Sequence, residues 1–184
     1  MNLGQSMMVI VGMALLGFLA LSANSSVMES NDISDSSDFG ITSVSLASSI
    51  IQEAMAKDFD QVVSVSGNVT DSSTFTPVGA LGREGGEHYR NPWHDFNDFD
   101  DFNNLFLCFT SQLDPAPEPG ADSTIIIPGI RARYLLHVRV DYVSSDSLMR
   151  ALPYPSWNKR MIVSVTRPVS KDTIKIPAVM SYWN

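Results

Sequence analysis

Residues 7 to 21, MMVIVGMALLGFLAL, carry no polar side chain. With Gln5, Ser6, Ser22 and Ala23 added, the run predicts one helix over 5–23. At about 1.5 Å per residue such a helix nearly spans a hydrocarbon core of about 30 Å. It keeps no polar face for water, which argues against the core helix of a soluble domain. A secretory signal peptide is the competing reading. LSANSS offers small residues for cleavage near Ala23, but no Lys or Arg precedes Lys57 to form a positive n-region. We therefore read 1–23 as a hydrophobic helix for a membrane or a filament core. Residues 24–40, NSSVMESNDISDSSDFG, are dominated by Ser, Asn and Asp, which compete for the backbone and weaken helices. They predict a polar connecting segment or a melted stretch of helix.

From Ile41 to about Phe59 a helical period returns. Val44, Ala47, Ile51, Ala54 and Met55 fall at three- and four-residue steps, Leu46 and Ile50 widen the stripe, and Ser48, Ser49, Gln52, Glu53 and Lys57 take the other side. Thr42 or Ser43 is the expected cap. Alternation then takes over. Tyr134, Leu136, Val138, Val140 and Tyr142 oppose Arg133, His137, Arg139 and Asp141; Met161, Val163 and Val165 oppose Ser164 and Thr166; Ile174 and Ile176 oppose Thr173 and Lys175. Pro177 marks an edge strand or a strand end. These three strands predict an antiparallel meander, and DQVVSVSGNV, just after the helix, a weaker strand. The middle, from Asp71 to about Gly129, is expected to be loop-rich. The resulting class is α+β: a long hydrophobic helix continuing into an amphipathic helix packed on a C-terminal antiparallel sheet, with 41–184 as the folded part, which the resemblance described below implies is extracytoplasmic.

Composition narrows the function. Among 184 residues, 12 Lys and Arg stand against 20 Asp and Glu, a formal net charge of −8. That balance argues against a nucleic-acid partner, which needs a basic stripe to neutralise phosphates. A single cysteine, Cys108, excludes an intramolecular disulfide and a multi-cysteine metal site; its apolar setting, LFLCFT, predicts a buried thiol. GALGREGG, residues 79–86, lacks the Lys-Ser/Thr of a phosphate loop and is expected to be a flexible loop. His88, His94 and His137 show no helical pairing for a metal, and no serine sits in a nucleophile elbow. No catalytic residue is assigned.

The remaining chemistry lies in WHDFNDFDDFNN, residues 93–104. The EF-hand pattern fails there: counted from Asp95, Phe99 takes the fifth position and Asp100 the sixth, which that loop gives to Gly. The three-residue spacing of Phe96, Phe99 and Phe102 predicts a turn pinned to the core by its rings, with Asp and Asn facing outward or capping their own backbone. A Ca²⁺ site drawn from Asp95, Asp98, Asp100 and Asp101 stays open beside this reading, because crowded carboxylates repel unless a cation joins them. No other cofactor is expected.

The whole arrangement resembles type IV pilins and the pseudopilins of type II secretion. ASSIIQEAMAKDFDQ, residues 47–61, is similar to the end of the long helix in minor pilins, where an A-x-S-[LI]-I-E-E…K-x-F-D pattern recurs. DFNDFDDFNN is similar to a D-D-x-D-D-[YF]-N segment of some minor pilins, including those of mannose-sensitive haemagglutinin pili. KRMIVSVTRPVSKDTIKIPAV resembles their closing hairpin. The resemblance implies processing between Gly4 and Gln5, with Gln5 standing where the family has Phe or Met and Val9 where it has Glu. Gly12, Ala14 and Gly17 allow close approach of neighbouring helices. It further implies a bacterial structural subunit, not an enzyme. Such a subunit waits in the cytoplasmic membrane on its apolar helix and then polymerises with copies of itself, or with other pilin-like subunits, into a surface filament. The alternative is a membrane-anchored extracytoplasmic binding or adhesion domain that does not polymerise.

Overall fold

The computed structural model describes residues 3–90 and 95–183. Helix α1 covers Leu3–Met55 without a break. It includes the polar residues 24–40, so the Ser/Asn/Asp-rich stretch neither melts nor forms a separate connector. The chain divides into two compact units, Met1–Ile41 and Thr42–Asn184. In the first, every side chain described from Met7 to Asp38 is exposed, and the helix is long and apolar enough to cross a membrane. Gly12, Ala14 and Gly17 lie on this exposed surface, and a Cβ added at Gly12 or Gly17 would meet nothing within 4 Å. Gly4 and Gln5 fall in the first turns of α1; the Gln5 side chain lies outside the described ones.

In the second unit, the buried side of α1 is Ser43, Leu46, Ala47, Ile50 and Ala54. The stripe expected from the sequence is rotated slightly: Val44 and Met55 are exposed and Ile51 is only half-buried. Thr42 and Ser43, expected as caps, lie inside the helix because it begins far upstream.

The stretch read as a weak strand is instead a short helix, α2, Gln61–Ser66. Its local chemistry explains this. Asp60, in extended conformation, accepts from Val62 N to cap the first turn, and Gly67 ends it at φ 77°.

The sheet has five strands: β1 (Phe106–Thr110), β2 (Ser123–Ile126), β3 (Tyr134–Tyr142), β4 (Asn158–Thr166) and β5 (Thr173–Ser181), in the spatial order β2-β1-β3-β4-β5. β3, β4 and β5 form the expected antiparallel meander, with Val138 opposite Val163 and Met161 opposite Ala178. β5 is an edge strand, which accommodates Pro177. The sheet is nevertheless mixed, not antiparallel, because β1 and β2 pair in parallel, Leu107 opposite Ser123. The Pro-rich segment 111–122 has the dozen residues that such a crossover requires. β1, within the stretch expected to be loops, is buried almost throughout, Cys108 included. Phe59, Val69, Phe75, Leu81 and Tyr142 form a buried cluster.

Candidate functional site

The acidic stretch folds into a 3-10 turn, Asp100–Phe102. Its rings are placed as expected, with Phe96, Phe99 and Phe102 buried and the rings of Phe96 and Phe102 edge-on at 5.0 Å. The carboxylates are not. Asp98, Asp100 and Asp101 are buried, with relative exposures of 0%, 1% and 0%. The outward-facing arrangement is thus overturned for these three. The turn is stitched down by Phe99 N donating to Asp58 O (2.8 Å) and by Asn103, whose Nδ2 donates to Leu81 O (3.0 Å) and whose Oδ1 accepts from Val140 N (2.9 Å).

Capping of their own backbone does occur. Asp98 Oδ1 accepts from Asp100 N (2.9 Å) and Asp101 N (3.1 Å), while Asp101 Oδ2 accepts from Asn97 N (2.8 Å) and Asp98 N (3.1 Å). Each carboxylate therefore uses one oxygen to shape the turn. The other oxygens, Asp98 Oδ2 and Asp101 Oδ1, are buried without a hydrogen-bond partner, as are Asp100 Oδ2, Glu84 Oε2 and Asn97 Oδ1.

The four carboxylates offered by the sequence as a Ca²⁺ set separate in space. Asp98 and Asp101 come together, and Glu84, from the glycine-rich segment, joins them. Asp100 turns to Lys159. Asp95 is exposed, accepting from Arg90 N (2.9 Å) and pairing with Lys57 (3.3 Å). His88 and His137 are exposed, and His94 lies outside the described residues.

Lys159 is the residue at the centre of this cluster that the sequence pattern left unmarked. It is fully buried on β4, and its ammonium donates to Phe59 O (2.8 Å), Asp60 Oδ2 (2.7 Å) and Asp100 Oδ1, so all three protons are used. It also lies over the rings of Phe59 (4.7 Å) and Tyr142 (5.3 Å). Asp60 further accepts from Thr76 N (3.0 Å), and the Tyr142 hydroxyl reaches it at 3.2 Å while donating to Thr76 O at 2.8 Å.

Charge is unbalanced across this cluster. Burial and the neighbouring charges of Asp100 and Asp101 push the Asp98 carboxyl up to about 9. Burial, with repulsion from Asp100, Asp101 and Glu87, raises Glu84 to about 7. Asp101 is raised to about 6 by burial, although the backbone donors of Asp98 and Asn97 pull it down. Burial also raises Asp100 despite Lys159. At Asp60 burial acts in the same sense but is outweighed by Lys159 and the Thr76 and Val62 donors, so this carboxyl stays below its usual range.

Away from this cluster, Trp157 and Tyr182 stack at 5.8 Å, and with Val69, Thr70 and the exposed Trp183 they line an aromatic cleft. Compared with known protein families, curated proteins and solved structures, the chain matches none.

Proposed function

We propose that this chain is the structural subunit of a pilin-like filament, held in a membrane by α1 before assembly and packed through the same helix afterwards. The observation that carries the reading is the apolar surface of Met7–Leu21, which is exposed around its whole circumference. Such a surface is stable only in lipid or against similar helices. Gly12, Ala14 and Gly17 supply the small side chains that let helices approach. A heterologous contact that does not close generates an open helical polymer. In this role the chain needs no catalytic centre.

Shearing cells that make the protein tests the proposal. Release in high-molecular-weight fibres, visible by electron microscopy, is the expected result. Retention of single subunits in the membrane fraction would overturn assembly. The aromatic cleft of Trp157, Tyr182 and Trp183 favours that second reading, a membrane-anchored binding domain, because exposed aromatic side chains are common at recognition surfaces.

A further inference from the structure

We propose that Glu84, Asp98 and Asp101 bind one hard divalent cation, Ca²⁺ by the chemistry of its ligands, and that this ion neutralises the acidic cluster of the globular unit. One carboxylate oxygen from each of the three lies within 4.8 Å of the others. A Ca²⁺ with oxygens at about 2.3–2.6 Å bridges such a spread.

Crowding alone does not carry this inference; the unpartnered oxygens do. Asp98 and Asp101 are fully buried, and each keeps one oxygen that no N–H donor reaches, as does Glu84; the neighbours within hydrogen-bonding reach are themselves carboxyls, Asp100 beside Asp98 and Glu87 beside Asp101. Buried polar atoms are nearly always satisfied, and an anionic oxygen left without a partner is costly. Among the described residues, the cations beside the cluster are committed elsewhere. Lys159 spends its three protons on Phe59, Asp60 and Asp100, Arg83 pairs with Asp122, Arg90 with Glu53 and Lys57 with Asp95. A bound ion supplies the missing positive partner. Asn97 Oδ1, also buried and unpartnered, offers a neutral oxygen from the same turn.

The donor set selects the ion. Among the described residues of the group all ligand atoms are oxygens, which suit Ca²⁺ or Mg²⁺ over Zn²⁺ or copper. Mg²⁺ demands a tighter octahedron at about 2.0–2.1 Å and gives up its waters reluctantly, so carboxylates held by backbone turns favour Ca²⁺. The competing arrangement is protons shared among the carboxyls instead of a metal.

Calorimetric titration of the full chain in detergent micelles, stripped with EDTA and dialysed, separates the two. With CaCl₂ at pH 7.5 the expected result is one Ca²⁺ per chain. At a hundredfold excess over Kd, Tm should rise by about 5–10 °C. Glu84→Gln and Asp98→Asn should each abolish the heat and the shift, whereas Asp95→Asn should preserve both. The Asp98→Asn side chain retains an oxygen for the Asp100 and Asp101 amides. In EDTA this variant should therefore melt no lower than the parent, which establishes that it folds. Neither heat nor a Tm shift with Ca²⁺ in the parent chain overturns the proposal and leaves shared protons as the neutralising device.

Discussion

Lys159 shows how a single side chain organises the globular unit. Its ammonium is removed from water and offset by Asp60 and Asp100, so deleting it leaves buried carboxylates uncompensated. Lys159→Met is therefore expected to destabilise the chain by about 3–5 kcal/mol, the range for breaking a buried pair from one side, measured by denaturant unfolding in micelles. Acidity should act on the same cluster with an unusual sign. With the cation chelated, the folded chain holds protons on Asp98, Glu84 and Asp101 up to about 9, 7 and 6, where the unfolded chain has already released them. The folded state then binds more protons across that window, so stability falls as pH rises. Asp100, Glu87, Asp60 and Lys159 are the other charges facing these groups. Tm in EDTA is expected to be lower at pH 8 than at pH 5. Asp60, with its lowered pKa, has the opposite dependence: its contribution is lost only as pH falls below the usual carboxylate value of 3.8. Part of this site was legible. The spacing of Phe96, Phe99 and Phe102 identified the buried rings, but Asp98 and Asp101 are also three apart and share a side of the turn in the same way. Lys159 had a signal too, since it stands two residues before Met161 on the inward register of β4. Glu84 had none, because loop closure alone brings it to the turn.

Among the elements, agreement was greatest where one face meets the core and the other meets water. β3 alternates buried and exposed residues, and its period was plain. β1 is buried almost throughout and offers no period, so a short apolar run was indistinguishable from a loop between elements. QVVSVS alternates like a strand, yet Asp60 and Gly67 cap it as a helix, and local capping outweighs a six-residue pattern. The polar residues 24–40 stay helical although their intrinsic propensity is low; such propensities amount to only tenths of a kcal/mol per residue. The rotated stripe of α1 has a direct test. Ile50 has a relative exposure of 1% and Val44 of 47%. Ile50→Asp is expected to cost several kcal/mol by burying an unpaired charge, while Val44→Asp should change stability by less than about 0.5 kcal/mol, both read from melting of the full chain.

For the whole molecule, the decisive property is an exposed apolar helix joined to an acidic domain. If the filament reading holds, close helix packing requires the small residues on that helix. Gly12→Leu combined with Gly17→Leu should therefore impair assembly while leaving membrane insertion intact, as assayed by fibre yield after shearing and by membrane fractionation. Normal fibre yield from this double variant would count against packing through α1. That the chain is α+β with a long apolar N-terminal helix was readable from its hydrophobic patterning, because both depend on long, strongly periodic or uniform stretches. The mixed sheet was not, since parallel pairing of β1 with β2 is decided by a crossover whose path no local pattern records.

The clasp around Lys159 also sets an order of events during biosynthesis. It joins residues separated by 99 positions at Asp60 and by 59 at Asp100. Until β4 emerges, the two aspartates have no buried counter-charge and the aromatic pocket of Phe59 and Tyr142 has no occupant. Closing such long loops is entropically slow and is rewarded only when the distant partner arrives. The globular unit is therefore expected to gain much of its stability late, as the chain is completed. Chains truncated before residue 159 are expected to be digested faster than the full chain, with the last two strands as the key that completes folding.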